Sequence, residues 1–397
     1  MSTTAPVRWP AIAALTAVSA LAQIGQFGIG FMVLPVWLAQ RGLDAPRAGL
    51  FSAAQWTGML AGLLIAPWLM ARIGVRCTVS IGLAATLAAF ATMNGLGWPW
   101  WLVPGMLTGF GIGLRWIANE TWLYSLVPAE ASGRVVGVHE ALIASAGVIG
   151  PALAAWWAVD TRVTFVVGAG FTLAAAMPLW LTAPAQRSPI IRLAGKSLAD
   201  SRKRAPLGAL LSLGMVVIAA GGLGDGALYG LFPLFADAHG ISATYTATLL
   251  TLFGVGGMLL QFPVGWCADR AGLAATVIVC AALSTLAIGG FAFAGPSTWL
   301  AAVSAIVLGG MNSAYITLGM FAAAHGDKAA LTRNMRLVSL TFTASSIVGP
   351  LVAGFAMKAR GPDMLMGQLA LMSGALMAYA LGLREGRRQP ERSSLSG

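Results

Sequence analysis

Charge is what this sequence has least of. Only 9% of its 397 residues are Asp, Glu, Lys or Arg, against 58% hydrophobic ones. A water-facing globular surface cannot be built from so few charges. Cysteine is scarce too: Cys77, Cys267 and Cys280 form no Cys-x-x-Cys pair, carry no redox signature and read as small packing residues. The three histidines make no His-Glu-x-x-His and no Cys/His cluster, and no paired-carboxylate spacing occurs, so metal hydrolysis and intramembrane catalysis have no constellation to work with. Gly109-Phe110-Gly111 follows no strand and leads to no Lys-Ser/Thr, which excludes a phosphate loop and ATP-driven work. The 17 methionines form no Met-x-x-x-Met pair, so metal transport lacks a ligand set. No segment reads as a soluble domain, which argues against a sensor or scaffold.

Long apolar runs are abundant. Mean hydropathy is +0.80, and a helix needs roughly 20 apolar residues to cross about 30 Å of hydrocarbon. Twelve runs qualify, starting near residues 12, 48, 77, 102, 135, 162, 207, 245, 273, 298, 336 and 364. The first is too long for a signal h-region and lacks a persuasive cleavage site.

The runs repeat. Leu34-Pro35…Gly42 returns as Phe232-Pro233…Gly240, Arg72-x-Gly74 as Arg270-x-Gly272, and Gly150-Pro151 as Gly349-Pro350, at offsets of 198, 198 and 199. Two similar six-helix halves describe a secondary transporter. The expected division is an N-terminal bundle over 1–185, a basic linker over 186–206 and a C-terminal bundle over 207–397 with a short basic tail.

The net charge of +11 is distributed by side, not gathered into a nucleic-acid patch. With the N-terminus inside, eighteen basic residues face the cytoplasm, including the six between Arg187 and Arg204, and five face outward. That asymmetry places both termini in the cytoplasm. Trp98, Trp100, Trp101, Trp156, Trp157 and Trp299 mark the outer span ends, and Trp68, Trp180 and Trp266 the inner ones.

Gly265-Trp266-Cys267-Ala268-Asp269-Arg270-Ala271-Gly272 resembles the G-x-x-x-D-R-x-G loop of the major facilitator superfamily. Its first-half mate keeps Arg72, Gly74 and Arg76 but has Ala71 where the acidic residue stands. Ala146-x-x-x-Gly150-Pro151 and Ser345-x-x-x-Gly349-Pro350 are similar to the Gly-Pro motif of its antiporters, with Ala or Ser in place of the preceding glycine. Leu34–Gln40, Glu120–Leu123 and Leu228–Leu234 resemble the superfamily's YcaD-like branch. The resemblance implies an all-α membrane fold of twelve helices in two pseudo-symmetric bundles, with helices one, four, seven and ten lining a central cavity. It also implies gating roles for Asp269, Arg270, Gly272, Arg72, Gly74, Gly150, Pro151, Gly349 and Pro350, with Asp269 contacting a helix start near Arg134.

Charges at membrane depth cost roughly 2.5–3.5 kcal/mol each on insertion scales and so point to function. Three stand out: Arg115, Glu120 and Asp225. Arg115 shares a helical stripe with Thr108, Gly111, Asn119 and Trp122, whereas Glu120 lies about 140° around the helix from it. The repeat mate of Arg115 is Ala314. An unmatched guanidinium facing a cavity suits an anionic or zwitterionic solute. The alternative is an Arg115–Asp225 ion pair that is structural or gating. Gln23, Gln26, Asn119, Trp122, Tyr229, Asn312 and Tyr315 complete the substrate-binding set, and Asp225, then Glu120, are the proton-coupling candidates. His139 and Glu140 are assigned an interfacial position, in solvent or beside loop arginines.

The expected protein is a multi-pass inner-membrane secondary transporter, not an enzyme, working by alternating access on a small organic solute. It is proton-coupled, needs no cofactor, meets lipid but no nucleic acid, and is monomeric by default. The Gly-Pro motif leans toward export. Uptake of an organic acid by symport, or multidrug-type export of amphiphiles, are the alternatives.

Overall fold

The computed structural model describes residues 8–127, 132–157, 159, 161–182, 209–294, 299–324 and 331–394. Among these the secondary structure is helical throughout, in twelve rods: α1 Trp9–Gln40, α2 Ala45–Ile73, α3 Val75–Met93, α4 Leu102–Leu126, α5 Ser132–Trp156, α6 Thr161–Leu181, α7 Ala209–Ala238, α8 Ala243–Ala271, α9 Leu273–Phe293, α10 Trp299–Ala324, α11 Leu331–Arg360 and α12 Met364–Ser394. Starts fall within five residues of those expected, because apolar runs and the turns between them are both strong signals. The linker expected over 186–206 lies outside the described residues.

Eleven of the twelve rods are long and apolar enough to cross a membrane. The one that falls short is α4, which carries Arg115, Asn119 and Glu120. Its polarity is compensated by neighbouring helices, as membrane-depth polar groups require.

The landmarks of the repeat are turns that only glycine makes readily. Gly74, between α2 and α3, has φ 87° and ψ 163°, and Gly272, between α8 and α9, has φ 82° and ψ 158°. Both lie in a region essentially closed to residues with a Cβ. The carbonyl of each accepts from a threonine four residues on: Thr78 Oγ1 to Gly74 O at 2.9 Å, and Thr276 Oγ1 to Gly272 O at 3.1 Å.

Two compact units result, Met1–Leu38 with Ala54–Arg204, and Ala39–Ala53 with Ala205–Gly397. Residues 39–53 group with the second unit, where Ser52 Oγ donates to Gly226 O at 3.1 Å. The first unit has an apolar core of Leu15, Val18, Leu83, Trp122 and Leu179; the second has Val217, Val277, Met311, Tyr315 and Leu376. Close backbone approach ties helices together inside each. A Cβ on Gly28 of α1 would stand 3.1 Å from the Cα of Gly150 of α5, and Gly349 of α11 lies as tightly on Leu223 of α7. Small residues at such crossings let helices gain dispersion contacts where the hydrophobic effect offers none.

Cysteine needs one correction. Cys280 is buried as expected, but Cys77 and Cys267 are exposed, one residue beyond Arg76 and one beyond Trp266, at helix ends where the chain turns.

Candidate functional site

In the first unit, a polar cluster is built by α1, α3, α4 and α5. The middle of α1, Ile24–Val33, is wound as a π-helix, a feature frequent at functional sites. Arg115 of α4 is 1% exposed and donates to three side chains of α1. Its Nε reaches Gln26 Oε1 at 2.8 Å, its Nη1 reaches Ser19 Oγ at 3.4 Å, and its Nη2 contacts Gln23 Oε1. Gln26 passes the chain on, Nε2 to Thr86 Oγ1 of α3, at 2.8 Å. A guanidinium has five N–H donors, so one on each terminal nitrogen is left over among the described residues.

Ser19 is the hub. Its hydroxyl accepts from Arg115 and from Asn119 Nδ2 (2.8 Å) and donates to Glu120 Oε1 at 3.5 Å, which uses its whole capacity. Asn119 Nδ2 also donates to Leu15 O at 2.8 Å, leaving Oδ1 buried without a partner among the described residues. Sequence reasoning missed Ser19. The signal was present: Ser19, Gln23 and Gln26 recur at spacings of four and three and so share a face of α1.

The faces of α4 are as expected: Arg115 and Glu120 make no direct pair, yet Ser19 bridges them. His139 is a correction. It is 0% exposed rather than solvated, and its Nε2 lies 2.7 Å from Glu120 Oε1. The reason is its register: α5 starts at Ser132, so His139 stands two turns inside the helix, toward α4. Glu140, next along, points outward and accepts from Tyr124 at 3.3 Å. Trp122 does not join the polar groups; it packs in the apolar core.

In the second unit, Asp225 of α7 is 6% exposed, and its Oδ1 accepts from Asn312 Nδ2 of α10 at 2.7 Å. Tyr229 is buried one turn further along α7. Tyr315 lies in the apolar core with its hydroxyl 3.0 Å from Ser284 Oγ. Thus Arg115 finds acceptors within its own unit, and Asp225 a donor within its own.

Of the expected gating residues, the arginines are the most clearly held. The Arg270 guanidinium stands 4.0 Å from the ring centre of Trp266, and Arg72 repeats the arrangement on Trp68 at 5.4 Å. Gly150, Gly349 and Pro350 lie at close helix crossings, and Pro151 follows Gly150 inside α5. Asp269 precedes the Gly272 turn, and the side chain of Arg134 lies outside the described residues.

The sequence profile of the Major Facilitator Superfamily matches residues 15–224 and 214–396. The chain is 25% identical over 248 residues to the uncharacterized MFS-type transporter YcaD of Escherichia coli O139:H28 and to that of Shigella sonnei. Each alignment covers 60% of this chain and 62% of the relative. Among solved structures, the nucleoside transporter NupG superposes with a TM-score of 0.72 at 12% identity, over 94% of this chain and 98% of that one. A D-xylose-proton symporter gives 0.70 at 16%, over 95% and 97%. At such identities these likenesses speak for the fold alone.

Proposed function

This chain belongs to the Major Facilitator Superfamily and is a multi-pass secondary transporter rather than an enzyme, and from that premise we propose that it carries a small anionic or zwitterionic organic solute, coupled to protons. The observation that carries this reading is Arg115. A guanidinium held by three neutral acceptors keeps its full positive charge, and its two remaining N–H groups, one on each terminal nitrogen, match the two oxygens of a carboxylate. At 1% exposure it meets a solute only when the surrounding helices part, as alternating access requires.

Asp225, a buried carboxylate with a single amide donor, is the first candidate for proton coupling, and Glu120 the second. The asymmetry of the basic residues supports cytoplasmic termini, and the bacterial relatives support a bacterial inner membrane. The partial Gly-Pro motif leans toward export, with uptake by symport as the alternative.

The test is ligand-induced thermal stabilisation of the purified protein by organic acids, amino acids, sugars, cationic amphiphiles and metal ions, alongside Arg115→Lys. Binding at a hundredfold over Kd adds about 2.7 kcal/mol, which is easily seen. We expect a carboxylate to stabilise the wild type and not the variant. Stabilisation by cationic amphiphiles alone, equal in both proteins, would overturn the reading.

A further inference from the structure

The contact between Glu120 and His139 does more than satisfy two polar groups. At 2.7 Å it joins a side chain 0% exposed to one 13% exposed, yet Glu120 Oε2 and His139 Nδ1 are both buried without a hydrogen-bond partner among the described residues. Buried polar atoms are nearly always paired, so two vacancies in one contact call for a reason. With Glu120 ionised and the ring neutral, Nε2–H donates to the carboxylate, which leaves Nδ1 as a bare acceptor. The vacancies are therefore two lone pairs. One proton can be taken up at either, with every existing hydrogen bond kept.

The charges around the pair give that proton a consequence. From α4 the pair is faced by Arg115 and Tyr124, from α5 by Glu140, and from α1 only by the neutral Ser19 and the glutamines beyond it. The side chain of Arg134 lies outside the described residues. With His139 neutral, the Arg115 cation and the Glu120 anion cancel through Ser19. With one more proton, on imidazole or carboxyl, the hydrogen-bonded chain Arg115–Ser19–Glu120–His139 carries a net positive charge and Arg115 is left uncompensated within it, while Glu140, bonded to Tyr124, lies outside that chain.

We propose that Glu120 and His139 are a proton-carrying dyad, wired through Ser19 to Arg115, whose protonation opens Arg115 to an anionic solute. The proposal rests on the reading of Arg115 given above. Its sign is definite: proton and anion favour each other's binding, and by linkage the effect is reciprocal. Such a site carries both in the same direction. The dyad therefore favours co-transport, against the export direction suggested by the Gly-Pro motif.

The chain has only three histidines, which makes ring NMR on full-length, ¹⁵N-histidine protein in nanodiscs decisive. His139→Gln identifies the His139 signals by their loss, and the His239 signals report whether each variant is folded. Titrated from about pH 5 to 9, the His139 midpoint should move by about one unit or more in Glu120→Gln and by much less in Glu140→Gln. A midpoint unchanged by Glu120→Gln, or ring signals that report no titration of either partner over that range, overturns the dyad. In the second arm, the carboxylate most stabilising in the thermal screen should move the midpoint in the wild type and not in Ser19→Ala. No movement in the wild type overturns the link to Arg115. If no carboxylate stabilises the protein, the Arg115 reading has failed, while the Glu120→Gln titration still decides the dyad.

Discussion

Ser19 illustrates how much one small hydroxyl can organise where water is absent. It holds two donors and one acceptor from two stretches of α4, and each of those groups would otherwise sit in a low-dielectric interior. Replacing it by alanine removes only an oxygen but strands Arg115 Nη1 and one of the two N–H groups of Asn119 Nδ2, the other still reaching Leu15 O. We expect Ser19→Ala to cost about 1–3 kcal/mol, the usual penalty for an orphaned buried donor, measured as a fall in denaturant midpoint in detergent. The equivalent change Ser284→Ala should cost less, since the Tyr315 hydroxyl it leaves keeps Ser373 as a second partner. Asp225 depends on Asn312 in a similar way, and Asn312→Ala should lower stability and recover it in part with Asp225→Asn, which removes the unpaired charge.

At the scale of the element, glycine does two different jobs, and substitutions can tell them apart. Nothing lies within 4 Å of a Cβ built on Gly74 or Gly272, so the whole cost of alanine there is backbone strain, about 1–3 kcal/mol. Gly28 lies in the π-helical stretch of α1 with no positive φ to strain it, but its Cβ would press on the Ala146 carbonyl at 2.5 Å and force α1 from α5. Gly28→Ala should therefore be worse than Gly74→Ala, and the further step to valine should be severe at Gly28 and minor at Gly74. Thermal unfolding of the purified variants checks the order. The motif Arg-x-Gly thus reads as a helix end plus a turn, with the arginine anchored on a tryptophan one turn back.

At the scale of the whole molecule, the two halves share a backbone plan but not a chemistry. Ser19, Gln23, Gln26, Arg115, Asn119 and Glu120 have as repeat mates Val217, Gly221, Gly224, Ala314, Leu318 and Gly319, none of them polar. Of these, Val217, Ala314 and Leu318 lie in the apolar core of the second unit. The ionic network belongs to one bundle, while the other contributes the Asp225–Asn312 pair, whose own counterparts are Phe27 and Gly113. Orientation is tested at this scale as well. A C-terminal green fluorescent protein fusion should fluoresce and a C-terminal alkaline phosphatase fusion should be inactive; the reverse result would place the termini outside.

Spans, repeat and superfamily were legible in the sequence because each depends on local chemistry: the length of apolar runs, glycine where a turn demands it, and lysine and arginine near span ends. Arg115, Asn119, Glu120 and Asp225 were legible as well, since a charge or amide in an apolar run is conspicuous anywhere. What the sequence could not disclose was who meets whom. Glu120 and His139 are nineteen residues apart, Ser19 is a further hundred away, and the α4–α5 turn sets how deep His139 lies. Helical periodicity orders the residues on one rod; it says nothing of which rod lies opposite or at what height. Only tertiary packing brought Glu120 and His139 together and joined them through Ser19 to Arg115.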